Sequence, residues 1–185
     1  MEKKCRFSNS KLTKIFDFGY QPLGNGFINK KEFQKEYFYK MEIGFCKKSK
    51  LVQLIKQPPA KKMFHSAYPF YSSLSSNMIK HFTKTANMIY SKYKKNKKFF
   101  IIELGSNDGI FLDYFKKNQI NHLGIEPSKN VADISKSKNI ETLNMFFNQF
   151  CVKKILKNYG KADIFFSANV ICHIPDIKAL AKNIK

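Results

Sequence analysis

The stretch 101-IIELGSNDGIFLDYF-115 decides the fold of this chain. A short apolar run meets Gly-Ser-Asn-Asp-Gly, and an amphipathic segment follows. Such a run is typical of a strand whose two faces are both covered. The turn residues after it predict a strand–turn–helix corner. The corner is either an ordinary turn or a cradle for a nucleotide-like ligand.

Strand and helix patterns alternate on the carboxyl side of this corner. The sequence predicts strands at 99–104, 122–125, 141–144 and 163–168, and helices at 110–117, 130–136, 151–158 and from 177 onward. The strands at 99–104 and 163–168 are expected to be buried. Strands that are separated by helices favour right-handed crossovers and a parallel sheet. The predicted fold class is therefore α/β, with a partial Rossmann-like sheet.

The amino-terminal part has a different character. Strand-like pieces at 14–18, 39–45 and 51–55 are separated by turn signals and predict a small, irregular β-rich unit. An aromatic segment leads into a helix from Ser73 to about Lys94, and a lysine-rich connection follows at 94–98. The helix has an apolar stripe expected to pack in the core: Leu74, Met78, Ile79, Phe82, Ala86, Ile89 and Tyr90. We predict three units: 1–60, 61–98 and 99–185.

The composition disfavours several classes of protein. The formal net charge is +21, but Arg6 is the sole arginine and the lysines are spread along the chain. Base readout and bidentate phosphate binding favour arginine, so we expect no nucleic-acid partner, although a Lys-rich nucleic-acid binder stays open as an alternative. No apolar run has membrane-spanning length and no secretory signal is visible. We therefore expect no membrane partner and a cytoplasmic location.

The glycine spacing of the corner excludes two common phosphate-binding loops. Gly105 and Gly109 are four apart, whereas a dinucleotide fingerprint needs five, and the Lys of a Walker loop is absent. What remains is acidic-x-G-x-x-x-G, beginning at Glu103. Asn107 stands at the place of a middle glycine and tolerates a left-handed conformation. We predict that Asp108 caps the following helix and that the glycines let a ligand approach the backbone.

A second acidic residue follows at the end of the next predicted strand. Glu126 lies 21 residues beyond Gly105, at the end of the second predicted strand. Parallel neighbouring strands bring their carboxyl ends together, so Glu126 is expected beside the glycine corner. A carboxylate in that place can accept both hydroxyls of a ribose.

These residues resemble the class I S-adenosylmethionine-dependent methyltransferases. The resemblance implies S-adenosyl-L-methionine as cofactor. It implies that residues 105–109 (Gly105, Ser106, Asn107, Asp108 and Gly109) hold the methionine end. Glu103 would support the loop and the ammonium, and Glu126 would bind the ribose. Met145, Phe146 and Phe147 would pack against adenine, although such a cluster is as often core.

Further stretches are similar to the sugar C-methyltransferases of deoxysugar and surface-polysaccharide pathways. They are Ser-Asn-Asp-Gly at 106–109, Gly-Ile-Glu-Pro-Ser-Lys-Asn-Val-Ala at 124–132, Ala-Asn-Val-Ile-Cys-His-Ile-Pro-Asp at 168–176, and pieces at 18–25, 51–54 and 68–73. The similarity covers essentially the whole chain. It implies C-methylation of a nucleotide-linked ketodeoxysugar, with that nucleotide sugar as small-molecule partner.

Two departures from that family qualify the expectation. Its amino-terminal zinc-binding domain carries C-x-x-C twice, whereas this chain has Cys5-x-x-Ser8 and Cys46-x-x-Ser49. Zinc prefers four nitrogen or sulfur ligands, so we predict no tightly held metal and a unit held by aromatic packing. The family also has seven strands and a catalytic carboxyl-terminal domain, whereas four strands are predicted here. We therefore expect a truncated reading frame, a split gene or one half of a two-chain enzyme. In the last case a second polypeptide could complete the sheet at the open edge of the last strand.

The implied reaction needs a base that removes a proton beside a 4-keto group. The resemblance gives three candidate catalytic residues, Tyr68, Tyr71 and His173, and places Asn169 beside the cofactor. The tyrosines fit the role of packing aromatics slightly better than a catalytic role. His173 fits a structural cap in the turn at 174–176 equally well. The alternative function is a catalytically inactive cofactor-binding remnant, or one lobe of a two-chain enzyme.

Overall fold

The amino-terminal unit is a small antiparallel sheet. The structure is a computed structural model, and it describes residues 3–93 and 98–185, so the lysine-rich connection predicted at 94–98 lies, apart from Lys98, outside the described residues. Three strands follow the order β1-β2-β3: β1 (Thr13–Pro22), β2 (Phe38–Phe45) and β3 (Val52–Leu54). This agrees with the predicted β-rich unit.

The core of this unit is not aromatic, and the prediction of aromatic packing was wrong. Its buried residues are Cys5, Leu12 and Cys46. The aromatic side chains of β1 point to solvent instead, with Phe16 54% and Tyr20 70% exposed. The two turns that carry the cysteines bring thiols and aliphatic side chains together, with Leu51 and Ile55 packed against them.

Two short elements and one long helix connect the sheets. They are α1 (Ala60–Met63), a 3-10 turn (Ser72–Leu74) and α2 (Ser76–Tyr93). Ser75 precedes α2, and its Oγ accepts the Met78 N–H at 3.3 Å. Leu74 therefore lies outside the helix and is 83% exposed, so its predicted place in the apolar stripe was wrong. Ile79 also faces mostly outward, at 44% exposed.

The carboxyl-terminal half is the parallel α/β sheet that the sequence predicts. Its strand order is β6-β5-β4-β7 and every pairing is parallel. The strands are β4 (Phe100–Leu104), β5 (Asn121–Ile125), β6 (Thr142–Leu143) and β7 (Ile164–Ser167). The helices are α3 (Leu112–Lys117), α4 (Lys129–Ser137), α5 (Gln149–Asn158) and α6 (Ile177–Ile184).

Apolar cores cover both faces of this sheet. Ile101 packs on one face with Phe82 and Phe111, from α2 and the corner before α3. Phe100 and Ile102 pack on the other face with residues of α5 and α6. This alternation is the period-two geometry of a strand. It explains why all of β4 is buried and holds the corner that follows rigidly in place.

The last strand is less covered than predicted. The residues of β7 are half-buried, because in the described part of the chain β7 pairs with β4 alone and forms an edge of the sheet. A strand with one free edge can accept another strand. In the same described part, no helix has the length and apolar character needed to cross a membrane.

Candidate functional site

A cavity of about 390 Å³ opens at the carboxyl ends of β4, β5 and β7. Ligand sites of open α/β sheets lie at this edge, and pockets of about 300–1,000 Å³ suit small molecules. Ten of the thirteen predicted site residues line the cavity: Tyr68, Glu103, Gly105, Ser106, Asn107, Glu126, Phe146, Phe147, Asn169 and His173. Another hollow, of about 560 Å³, lies at the opposite edge beside Asn121 and contains none of them.

The corner after β4 uses three left-handed residues. Gly105, Asn107 and Gly109 have φ values of 74°, 50° and 80°, so the asparagine adopts the conformation that was expected of it. A side chain on Gly105 would collide with Val170 of the cavity wall. A Cβ on Gly109 would lie 2.5 Å from Ile140 Cδ1. Gly109 therefore makes room for protein packing rather than for a ligand, and it does not line the cavity.

The prediction that Asp108 caps the following helix was wrong. The position before α3 is Phe111, which makes no side-chain cap. The buried carboxylate of Asp108 accepts hydrogen bonds from the backbone N–H of Ser73, at 3.0 Å, and from the Ser73 hydroxyl. Lys138 Nζ lies 3.7 Å from the same oxygen. Asp108 thus joins the corner to the segment before α2, a long-range contact that local sequence does not reveal.

Asn107 and Glu126 face the same cavity and bind each other. The Asn107 N–H donates to Glu126 Oε2 at 3.0 Å, and the Ser128 N–H donates to Glu126 Oε1 at 2.8 Å. Burial raises the pKa of Glu126, and these backbone hydrogen bonds oppose that rise. The carboxylate is thereby fixed in orientation, with accepting capacity left toward the cavity.

Glu103 is the most unusual group of the site. It is 3% exposed, lines the cavity, and its Oε2 has no hydrogen-bond partner among the described residues. Burial, followed by the negative charges of Glu126 and Asp108, raises the pKa of Glu103 well above its ordinary value. A buried carboxyl without a partner is costly. It is therefore suited to receive a cation or a hydrogen-bond donor from a ligand.

Residues 68–73 lie across the corner after β4 and are hydrogen-bonded to it. The Asn107 amide donates to Phe70 O and accepts from Ser72 N–H, each at 3.0 Å. Asn130 of α4 binds both the N–H and the carbonyl of Tyr68, at 3.1 and 2.8 Å. Sequence reasoning missed Asn130, although it stands within the Gly-Ile-Glu-Pro-Ser-Lys-Asn stretch that carries Glu126.

Among the predicted catalytic residues, the structure separates Tyr71 from the other two. The Tyr71 hydroxyl accepts from Asn130 Nδ2 at 2.7 Å and does not line the cavity. Tyr68 lines it, and burial together with the negative charge of Glu126 raises its pKa. His173 also lines it, edge-on to Phe64 with ring centroids 5.7 Å apart. Burial and then the positive charge of Arg6 lower the pKa of His173.

The aromatic pair after β6 is divided between cavity and core. Phe146 and Phe147 both line the cavity. Phe147 also packs against Phe165, with ring centroids 5.3 Å apart. Met145 lies in the core cluster of that face and not in the cavity lining, so Phe146 and Phe147 are the residues of this group placed to contact a ligand.

The two Cys-x-x-Ser turns, which we name the knuckles, meet each other. Cys5 Sγ lies 3.3 Å from Ser49 Oγ, and Ser8 Oγ lies 3.2 Å from Cys46 Sγ. Burial raises the pKa of Cys5, but hydrogen bonds from Ser49 and Ser8 outweigh it and lower that pKa to about 6. Two thiols and two hydroxyls do not fit the four-ligand preference of structural zinc. Over residues 3–93 and 98–185, no cluster of three or more His, Cys, Asp or Glu could hold a metal.

Two family models match the chain, one over the antiparallel sheet and one over the parallel sheet. The family model described as "Methyltransferase domain" matches residues 73–185, more than half of the chain. The family model described as "Putative zinc binding domain" matches residues 5–64. The first match contains β4, β5, the corner between them and the carboxyl-terminal wall of the cavity.

Individual relatives are distant. C-methyltransferase NovU of Streptomyces niveus is 23% identical over 164 residues, which cover 88% of this chain and 39% of the relative. The chain thus spans about two fifths of that protein's length. Among solved structures, the plantazolicin methyltransferase BpumL with SAH has a TM-score of 0.45 and 14% identity, over 57% of this chain and 42% of that one. Magnesium protoporphyrin IX methyltransferase of Synechocystis PCC 6803 with bound SAM has 0.43 and 12%, over 58% and 54%.

Proposed function

The chain belongs to the methyltransferase domain family, and on that premise we propose that its cavity binds S-adenosyl-L-methionine in an S-adenosylmethionine-dependent methyltransferase. The observation that carries the proposal is the pair formed by the Asn107 N–H and the Glu126 carboxylate on one cavity wall, with the partnerless Glu103 beside them. Bound there, the cofactor would supply an electrophilic methyl group on a sulfonium.

Each end of such a cofactor has a matching group in the cavity. Glu103 offers a buried oxygen without a partner to the ammonium of the methionine end. Glu126, oriented by two backbone N–H groups, offers acceptors to the ribose hydroxyls. Phe146 and Phe147 offer ring surfaces to adenine. The cavity volume of about 390 Å³ suits a ligand of this class.

For the substrate, we propose a nucleotide-linked ketodeoxysugar that is methylated on carbon. The support is the sequence similarity to C-methyltransferase NovU and the motifs shared with sugar C-methyltransferases. His173, whose lowered pKa keeps its imidazole neutral near pH 7, would accept the proton next to the keto group. Tyr68, whose raised pKa keeps its hydroxyl protonated, would donate a hydrogen bond to the developing enolate.

A second candidate is a lobe that binds the cofactor but needs another polypeptide for turnover. It is favoured by the position of β7, which in the described part of the chain pairs on one side only. A strand from a second chain could pair with that edge. A cytoplasmic location remains part of the proposal in either case.

Isothermal titration calorimetry with S-adenosylmethionine tests the cofactor site. We expect Glu126→Gln to weaken binding about 10- to 150-fold, because one charge-assisted hydrogen bond is worth about 1.5–3 kcal/mol. Glu141→Gln is the matched control, because that carboxyl lies in the hollow at the opposite edge of the sheet. Equal affinity of Glu126→Gln and the wild type would refute the assigned ribose contact.

Turnover separates the two candidates. Methylation of a 4-ketosugar nucleotide by the isolated chain would establish the enzyme. Cofactor binding without turnover, followed by turnover when a partner polypeptide is added, would establish the lobe. Salt-sensitive RNA binding without cofactor affinity would overturn both.

A further inference from the structure

Arg6 connects the first knuckle to the wall of the cavity. It lies between Cys5 and Ser8, and its Nη1 donates to the carbonyl oxygens of Cys172 and Ile174, both at 3.2 Å. These two carbonyls flank His173. One charged group therefore holds the backbone on both sides of a residue that lines the cavity.

The amino-terminal unit fixes this arrangement from several points. The Arg6 N–H donates to Gln53 Oε1 of β3 at 3.1 Å. Gln57 Nε2 also donates to Cys172 O, at 3.2 Å. The knuckle itself is tied by the hydrogen bond between Cys5 and Ser49. The turn that carries His173 is thus held against a small rigid sheet rather than left as a free loop.

Arg6 also sets the electrostatics of His173. Burial is the first cause of the lowered pKa of His173, and the positive charge of Arg6 is the second. The ring packed against the imidazole is that of Phe64, which carries no charge. A nearby cation disfavours the imidazolium, so the neutral ring is preferred.

We propose that Arg6 is a positioning residue for the cavity: it holds the backbone on both sides of His173 and thereby aims this side chain at the bound ligands. The two knuckles are joined by hydrogen bonds between thiols and hydroxyls, and they then support the binding site by holding Arg6 in place. This inference rests on the proposed function, since His173 matters only if the cavity binds a cofactor and its methyl acceptor.

The test compares Arg6→Gln, which removes the charge, with Arg6→Lys, which keeps it but lacks the planar fork. Lys40→Gln is the control, because Lys40 is an exposed cation of the same unit that pairs with Asp17 and Glu42. The pKa of the His173 imidazole is measured by NMR titration of the full chain without ligand. The affinity for S-adenosylhomocysteine is measured by calorimetry, because the turn that Arg6 holds also carries Asn169 and Val170, which line the same cavity.

We expect the pKa of His173 to rise in Arg6→Gln, because the substitution removes the positive charge that disfavours the imidazolium. Arg6→Lys should keep the pKa near the wild-type value and yet weaken ligand binding at least about threefold, because the paired donation to the turn is lost. Lys40→Gln should change neither quantity.

The outcomes distinguish this inference from the proposed function. If the wild type binds the ligand and both Arg6 variants keep the His173 pKa and the affinity, the positioning role is overturned. If the wild type does not bind, the proposed function fails, whereas the titration still decides whether Arg6 governs the imidazole. If thermal denaturation shows that Arg6→Gln does not fold, Arg6→Lys decides through its affinity relative to Lys40→Gln.

Discussion

Binding of S-adenosylmethionine should release a proton from Glu103. In the free protein this carboxyl is 3% exposed and has an unpartnered oxygen. Burial, and then the charges of Glu126 and Asp108, raise its pKa well above the ordinary value, so the free protein favours the protonated form of this carboxyl. An ammonium placed beside it favours the ionised form. The proton then passes to the buffer.

The magnitude follows from the number of groups that change state. A single carboxyl can release at most one proton, so at pH 6.5 the calorimetric enthalpy should depend on the buffer ionisation enthalpy with a measurable slope of at most about 1. At that pH an α-amino group with a pKa of about 7.7–8.0 is already charged and contributes little. The lowered pKa of His173 keeps that ring from adding its own proton.

The assay is titration of the cofactor at pH 6.5 in phosphate, PIPES and imidazole buffers, which differ in ionisation enthalpy. Glu103→Gln should bring the slope to about zero and weaken binding, because glutamine has no charge to offer the ammonium. Glu141→Gln should keep the wild-type slope. Tight binding by the wild type with no buffer dependence would show that Glu103 does not meet the ammonium.

Three further predictions concern stability and metal. Because the folded-state pKa of Glu103 is raised, its contribution to the free energy of unfolding is fully present below the unfolded pKa of about 4.3 and is lost as pH rises through the folded-state pKa. Urea denaturation at a series of pH values should show this loss of stability in the wild type and not in Glu103→Gln. Gly109→Ala should destabilise the fold by about 1–3 kcal/mol in the same assay, since φ is 80° and the new Cβ would meet Ile140, whereas an unchanged midpoint would contradict the packing argument. Metal analysis should find well under one zinc per purified chain, and the double variant Ser8→Cys with Ser49→Cys should bind about one; a stoichiometric zinc in the wild type would contradict the argument from ligand chemistry.

The sequence predicted the parts of the site that depend on one strand or one turn. Glu126 was placed correctly beside the corner because parallel neighbouring strands end at one edge of a sheet. Asn107 was expected in the left-handed region because its side chain tolerates that conformation. Periodicity and turn chemistry, which are local, carry this much information.

The parts that were not predicted depend on contacts between distant segments. Asp108 looked like a helix cap, but Ser73, 35 residues away, supplies its partners. Tyr71 looked as favourable as Tyr68, but Asn130 draws its hydroxyl away from the cavity. Gly109 looked like a place for ligand approach, but Ile140 occupies that space. Nothing in the local pattern distinguishes these alternatives.

The side-chain amide of Asn107 is hydrogen-bonded to the backbone of Phe70 and Ser72, and these bonds limit where the chain can be cut into fragments. A fragment cut at the start of β4 would keep every residue of the glycine corner and still strip away the backbone groups that hold it. Such a piece should express as a looser domain with weakened nucleoside affinity. A fragment that begins upstream of Tyr68 should retain the intact corner.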